Sequence, residues 1–129
     1  MIIGKAIYDI LSNDAPVSGV VGTKIYPLRI SQNVSSPAIS YTTYSNNATD
    51  TKSGVSELDQ VMFQVSSFDK SYEVAADLNE KVRTALDRKS GTYGTLEIQS
   101  IQYLNTVTEF DDESFEHMII SEFKLRLKR

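Results

Sequence analysis

His117 is the single histidine of the chain, so chemistry that needs an imidazole base has one place to occur. It alternates with Phe115, Ile119, Ser121, Phe123, Leu125 and Leu127. That period puts it on the core face of a closing strand, where a hydrogen-bonded structural histidine is expected instead of a catalytic base. A single histidine excludes paired-histidine metal sites. The absence of cysteine excludes disulfides, thiolate metal sites and cysteine nucleophiles. Glu109, Asp111, Asp112 and Glu113 offer the oxygen ligands of a hard-cation site, but lack the glycine and the alternating spacing of a calcium loop. A solvated turn is the better reading. The run Gly19-Val20-Val21-Gly22-Thr23-Lys24 echoes a phosphate-binding loop and fails it: the glycines are too close and the Thr precedes the Lys. No catalytic, cofactor-binding or metal-binding residue is therefore expected, and the chain does not read as an enzyme.

Composition narrows the partners. The formal net charge of −4 disfavours binding to a phosphate backbone, so direct nucleic-acid recognition is not expected. Seven tyrosines without a tryptophan could stack bases. Tyr41, Tyr72 and Tyr103 instead fall on apolar faces, which favours core and interface roles. The basic residues Lys124, Arg126, Lys128 and Arg129 alternate with leucines, as the polar face of a strand would. Nowhere do apolar residues run for the roughly 18 positions of a membrane span. The start is cut by Lys5, Asp9 and Asn13 and lacks the layout of a cleaved signal, so a cytoplasmic site of synthesis is expected.

The 129 residues, 40% hydrophobic and 23% charged, fit one globular domain over 1–129. Ile3, Ala6, Ile7, Ile10 and Leu11 follow helical spacing over residues 2–12, and Asn13-Asp14-Ala15-Pro16 is expected to end that helix. A loop at Gly19-Val20-Val21-Gly22 and a short apolar piece, Lys24 to Leu28, come next. Ala38 to Tyr44 and Leu58 to Phe68 read as strands. A second helix spans about 71–87, its apolar face carried by Tyr72, Ala75, Ala76, Leu78, Val82, Ala85 and Leu86, with Asn79 its one polar member. Gly91 and Gly94 bracket a turn. The alternation of Leu96 and Ile98 slips near Ser100 before resuming at Ile101 and Tyr103, which predicts a β-bulge. Asn105 to Ser114 reads as a polar connection to the last strand. The predicted fold is α+β: an antiparallel sheet, mixed pairing left open, with two α-helices packed on one face.

Between the first two long strands, Ser45 to Ser56 is nearly devoid of apolar residues and reads as an exposed loop or a long hairpin tip. Asn46, Asn47, Thr49, Asp50, Thr51, Lys52 and Ser53 are its candidate partner-contact residues.

In this order the chain resembles the tail-completion, or tail-terminator, head–tail joining proteins of long-tailed bacteriophages. The resemblance is carried by Ile7 to Leu11, Gly22-Thr23-Lys24-Ile25-Tyr26-Pro27, Ser36-Pro37-Ala38-Ile39-Ser40-Tyr41 and Phe63-Gln64-Val65-Ser66-Ser67-Phe68. Ala75-Ala76-Asp77-Leu78 continuing to Val82 and Ala85-Leu86-Asp87 completes it. Ala38 departs from the pattern, which often has a large apolar residue after the proline. The resemblance implies a virion protein at the head-proximal end of the tail, assembled in the host cytoplasm. It implies a ring of copies of the chain, usually a hexamer, that caps the tail tube and meets the head–tail connector protein, without a cofactor or a membrane. The alternatives are another connector or minor tail structural protein (an adaptor, a stopper or a tube-like subunit) and a small enzyme with an unrecognised cleft.

Overall fold

The computed structural model describes residues 3–27, 35–51 and 54–128, with 45–51 and 54–59 described by their backbone. The described elements are α1 (Ile3–Ser12), α2 (Ala15–Val21), β1 (Ile25–Pro27), β2 (Ala38–Thr51) and β3 (Gly54–Asp69), followed by α3 (Tyr72–Leu86), β4 (Gly91–Tyr93), β5 (Leu96–Asp111) and β6 (Glu116–Lys128). Leu28 of the predicted short apolar piece lies outside the described residues. The strands form one six-stranded sheet in the order β1-β2-β3-β6-β5-β4. β1 runs parallel to β2 and every other pair is antiparallel. The sheet is thus mixed, and the fold is α+β.

Three helices are present among the described residues, not two. The segment expected to stop the first helix also starts another. The Asp14 carboxylate accepts from the Val17 backbone N–H at 3.3 Å, capping α2, and Pro16 occupies the first turn, where no N–H is needed. Gly22, expected in a loop, ends α2 at φ 61°, its N–H donating to the Ser18 carbonyl. This left-handed conformation suits a residue without a Cβ.

The core lies between one face of the sheet and α1 and α3. Ala6, Ile7, Ile10 and Leu11 of α1 and Ala75, Leu78, Val82, Ala85 and Leu86 of α3 are buried. They meet Ile39, Tyr41, Val61, Phe63, Val65, Ile101, Phe123 and Leu125. Phe63 and Phe123 stack at 5.3 Å between ring centroids, and Tyr103 meets Phe123 edge-on at 5.9 Å. Each such aromatic pair adds about 1 kcal/mol beyond the area it buries. The bulge predicted near Ser100 is present, with a second between Tyr103 and Asn105.

Two long-range polar contacts fasten α3 to the sheet. Ser121 Oγ, fully buried, donates to Asn79 Oδ1 and lies 3.1 Å from Thr106 Oγ1. Tyr103 OH and Thr106 Oγ1 are also paired, and the Arg83 guanidinium sits 3.7 Å above the Tyr103 ring. Asn79, the polar exception on an apolar helix face, therefore has a partner that makes its burial tolerable.

Candidate interaction surface

The segment Ser45–Ser56 is a strand arm for most of its length. β2 and β3 stay paired far past the point where hydrophobic alternation stops. Asn46 opposes Val61, Asn47 opposes Gln60, Asp50 opposes Val55 and Thr51 opposes Gly54. Thr49 falls at a register shift between Ala48 and Asp50. Lys52 and Ser53 lie outside the described residues. Of the two forms expected for this stretch, the hairpin is the one adopted. Its partner β6 ends against Leu58, paired with Lys128. The rows from Asp50–Val55 outward therefore project beyond the body of the sheet.

A second surface was not anticipated. Asn105 to Asp111, expected to be a connection, continues β5 as a strand paired with β6 up to Asp111–Glu116. Four of the large exposed apolar residues stand on this hairpin: Leu104, Val107, Phe110 and Phe115, the last 67% exposed. Phe115 is not on the core face of β6. It closes the hairpin turn with φ 58°, donating its N–H to the Asp111 carbonyl. Isolated exposed apolar groups are ordinary, whereas several along one strand mark a contact surface.

The acidic cluster sits in the same turn. The Asp111 carboxylate accepts from the Glu113 backbone N–H and from Ser114 Oγ, both at 3.0 Å. These hydrogen bonds, the backbone one first, hold its acid below the ordinary carboxylate range. Its oxygens serve the turn, and no group of three or more metal-ligating side chains occurs among the described residues. His117 is half-buried between the rings of Phe110 and Tyr72, 4.9 Å and 5.5 Å away. Aromatic packing replaces the hydrogen bond expected of it among the described residues. Tyr72, expected on the buried helix face, is 52% exposed beside it. No described helix is long and apolar enough to cross a membrane.

At the outer edge of β5 lies an open cleft lined by Arg83, Asp87, Arg88, Gln102 and Tyr103. Its backbone groups are already engaged. Arg88 donates its N–H to the Ile101 carbonyl at 2.7 Å, and the Asp87 carboxylate accepts from the Tyr103 N–H at 3.0 Å. The cleft is best understood as a cap on a strand edge.

A domain that turns strand arms and apolar edges outward, with its polar side chains spent on turns and caps, has the build of an assembly subunit. The sequence matches the tail completion protein gp17 family over residues 5–126, and the chain belongs to that family. It is a virion tail protein of the phage type, and the family is one of structural proteins. The fold recurs in a chain of the virion of a native gene transfer agent particle, with a TM-score of 0.76. The two are 17% identical over 95% of this chain and 92% of that one. A second solved chain superposes with a TM-score of 0.63 at 8% identity, over 97% of this chain and 96% of that one. No curated protein is significantly similar in sequence.

Proposed function

We propose that the chain acts as a single domain whose copies close into a ring, usually of six, that caps the finished tail tube and joins the tail to the head connector. The contact is made by the β2–β3 arm, with Asn46, Asn47, Thr49, Asp50, Thr51, Lys52 and Ser53 reaching the tail tube or the neighbouring subunit. One observation carries this reading beyond family membership: the arm projects past the end of β6, beyond the rows that β6 pairs. A long hairpin that reaches past the sheet of a small domain is more often functional than idle. Assembly takes place in the host cytoplasm, and the reading requires no cofactor and no turnover.

Deleting Asn47 to Lys52 tests it. The domain should still melt in one cooperative transition, because the described core cluster is built from α1, α3 and the central rows of the sheet. Phage assembled with the variant should show tails of uncontrolled length, or tails not joined to heads, by electron microscopy. Normal tails joined normally would make the arm a spectator.

A further inference from the structure

Within the described residues, the two outer edges of the sheet are covered over part of their length. Among the described residues, β1 covers β2 at Ile39–Tyr41. β4 covers β5 at Leu96–Ile98, and the Asp87 and Arg88 cap extends that cover to Tyr103. Past these points, no described residue pairs with the outer edge of β2 from Thr42 to Thr51 or of β5 from Asn105 to Asp111. Open edges invite strand addition and are normally blunted with charge, proline or cover. These carry exposed apolar groups instead: Tyr44 on β2, and Val107 and Phe110 on β5.

We propose that the two open edges are each other's partners in neighbouring copies, so that the free half of β5 in one subunit pairs antiparallel with the β2 arm of the next. This deepens the ring reading and rests on it. Three observations select a second copy as the occupant. Within one chain β5 runs antiparallel to β2, through β3 and β6. A rotation that preserves strand direction therefore brings the two edges together in the sense the sheet already uses. The contact is also heterologous, joining two different patches of the same chain, and such contacts form rings where the rotation closes.

The third observation is the placement of the covers. Thr42, Gln64, Glu122 and Asn105 form one row across the sheet, so β1 and β4 guard diagonally opposite corners. Pairing Thr42 with the neighbour's Asp111 slides one copy past the next by the distance from Asn105 to Asp111, about 20 Å of strand. Each copy then contributes four strands to the ring wall, β2, β3, β6 and β5, spaced about 4.8 Å apart, so that slide equals a strand tilt of about 45°, at the upper end of the range that closes sheets into barrels. The small β1 and β4 then act as stops that set the register.

The absence of cysteine gives a clean test. Asn47→Cys is combined in turn with Asn105→Cys, Val107→Cys or Glu109→Cys, and each protein is oxidised while assembled on tails. At least one double variant should give a ladder of disulfide-linked multimers on a non-reducing gel, and no single variant should. Single variants that link as strongly as the doubles would mean like edges pair, and would overturn the proposal. Rings seen by electron microscopy with no linked double variant would overturn edge pairing and leave the ring reading standing. Tails that carry no ring of this chain at all would sink the ring reading, and the edge pairing with it. Val107→Lys places charge on the edge without touching the core. Loss of ring assembly with an unchanged melting temperature is expected, and unchanged assembly would overturn the proposal.

Discussion

The middle rows of the sheet and its two outer ends are made of the same strands, yet they are held by different forces. In the middle, β2, β3, β6 and β5 place Tyr41, Val65, Phe63 and Phe123 against α1 and α3, and nearly every inward side chain is buried. At the ends, the β2–β3 arm and the free half of β5 keep their ladder hydrogen bonds, while Asn105 to Phe110 of β5 are all exposed. The difference separates stability from assembly. Substitutions in the middle should unfold the domain, and substitutions at the ends should leave it folded and unable to assemble.

Phe123→Ala should show the largest effect. The ring is fully buried, stacks on Phe63 and takes the edge of Tyr103. Removing it leaves a cavity at the centre of the sheet and should cost about 3–5 kcal/mol in denaturant unfolding. A cost below about 1 kcal/mol would mean the centre is no tighter than the ends.

Two buried serines sharpen the comparison within the core itself. Ser121 Oγ supplies the hydrogen bond that Asn79 Oδ1 accepts, so Ser121→Ala leaves a buried amide oxygen short of a partner. A loss of about 1–3 kcal/mol is expected. Ser67 Oγ is equally buried and has no described hydrogen-bond partner. Ser67→Ala should therefore be neutral or stabilise by up to about 1 kcal/mol. Equal losses at both sites in denaturant melts would refute the distinction.

What the sequence made legible follows the same division. α1 and α3 could be read because burial on one face imposes a 3.6-residue period, and their bounds came within a residue or two of those observed. The centres of the long strands could be read because burial imposes a period of two. Where burial stops, the pattern stops, although the backbone ladder continues. This is why Asn105–Asp111 read as a connection and why the arm was left open between loop and hairpin. α2 was missed because seven residues are too few to display a period, and Pro16 was taken for a stop where it serves a start. The alternation of β6 was carried one step too far, to Phe115, which sits in the turn. Asn79 stood out as a polar residue on an apolar face. Its partner lies 42 positions away, and only the register of β6 brings them together.

The smallest effect belongs to the acidic turn, and it concerns how the free end of β5 keeps its shape. Asp111 is partly exposed in this turn, and its carboxylate holds Glu113 and Ser114. Those bonds favour the charged form, so its acid lies below 3.8, the value the unfolded chain would show. A depressed carboxylate contributes its full stabilisation above the unfolded value. That contribution falls away as pH drops toward and through the lower, folded value. Asp111→Asn removes the charge and should cut the acid-side loss of stability slightly, leaving the melting temperature at pH 7 nearly unchanged, because a carboxylate at the surface is screened by water. Melting curves of the two proteins between pH 2 and 7 should therefore converge at the acid end and differ little elsewhere. A large loss at pH 7 would mean that the turn helps hold the helix-backed rows in place. The separation of a stabilising centre from assembling ends would then fail at this hairpin.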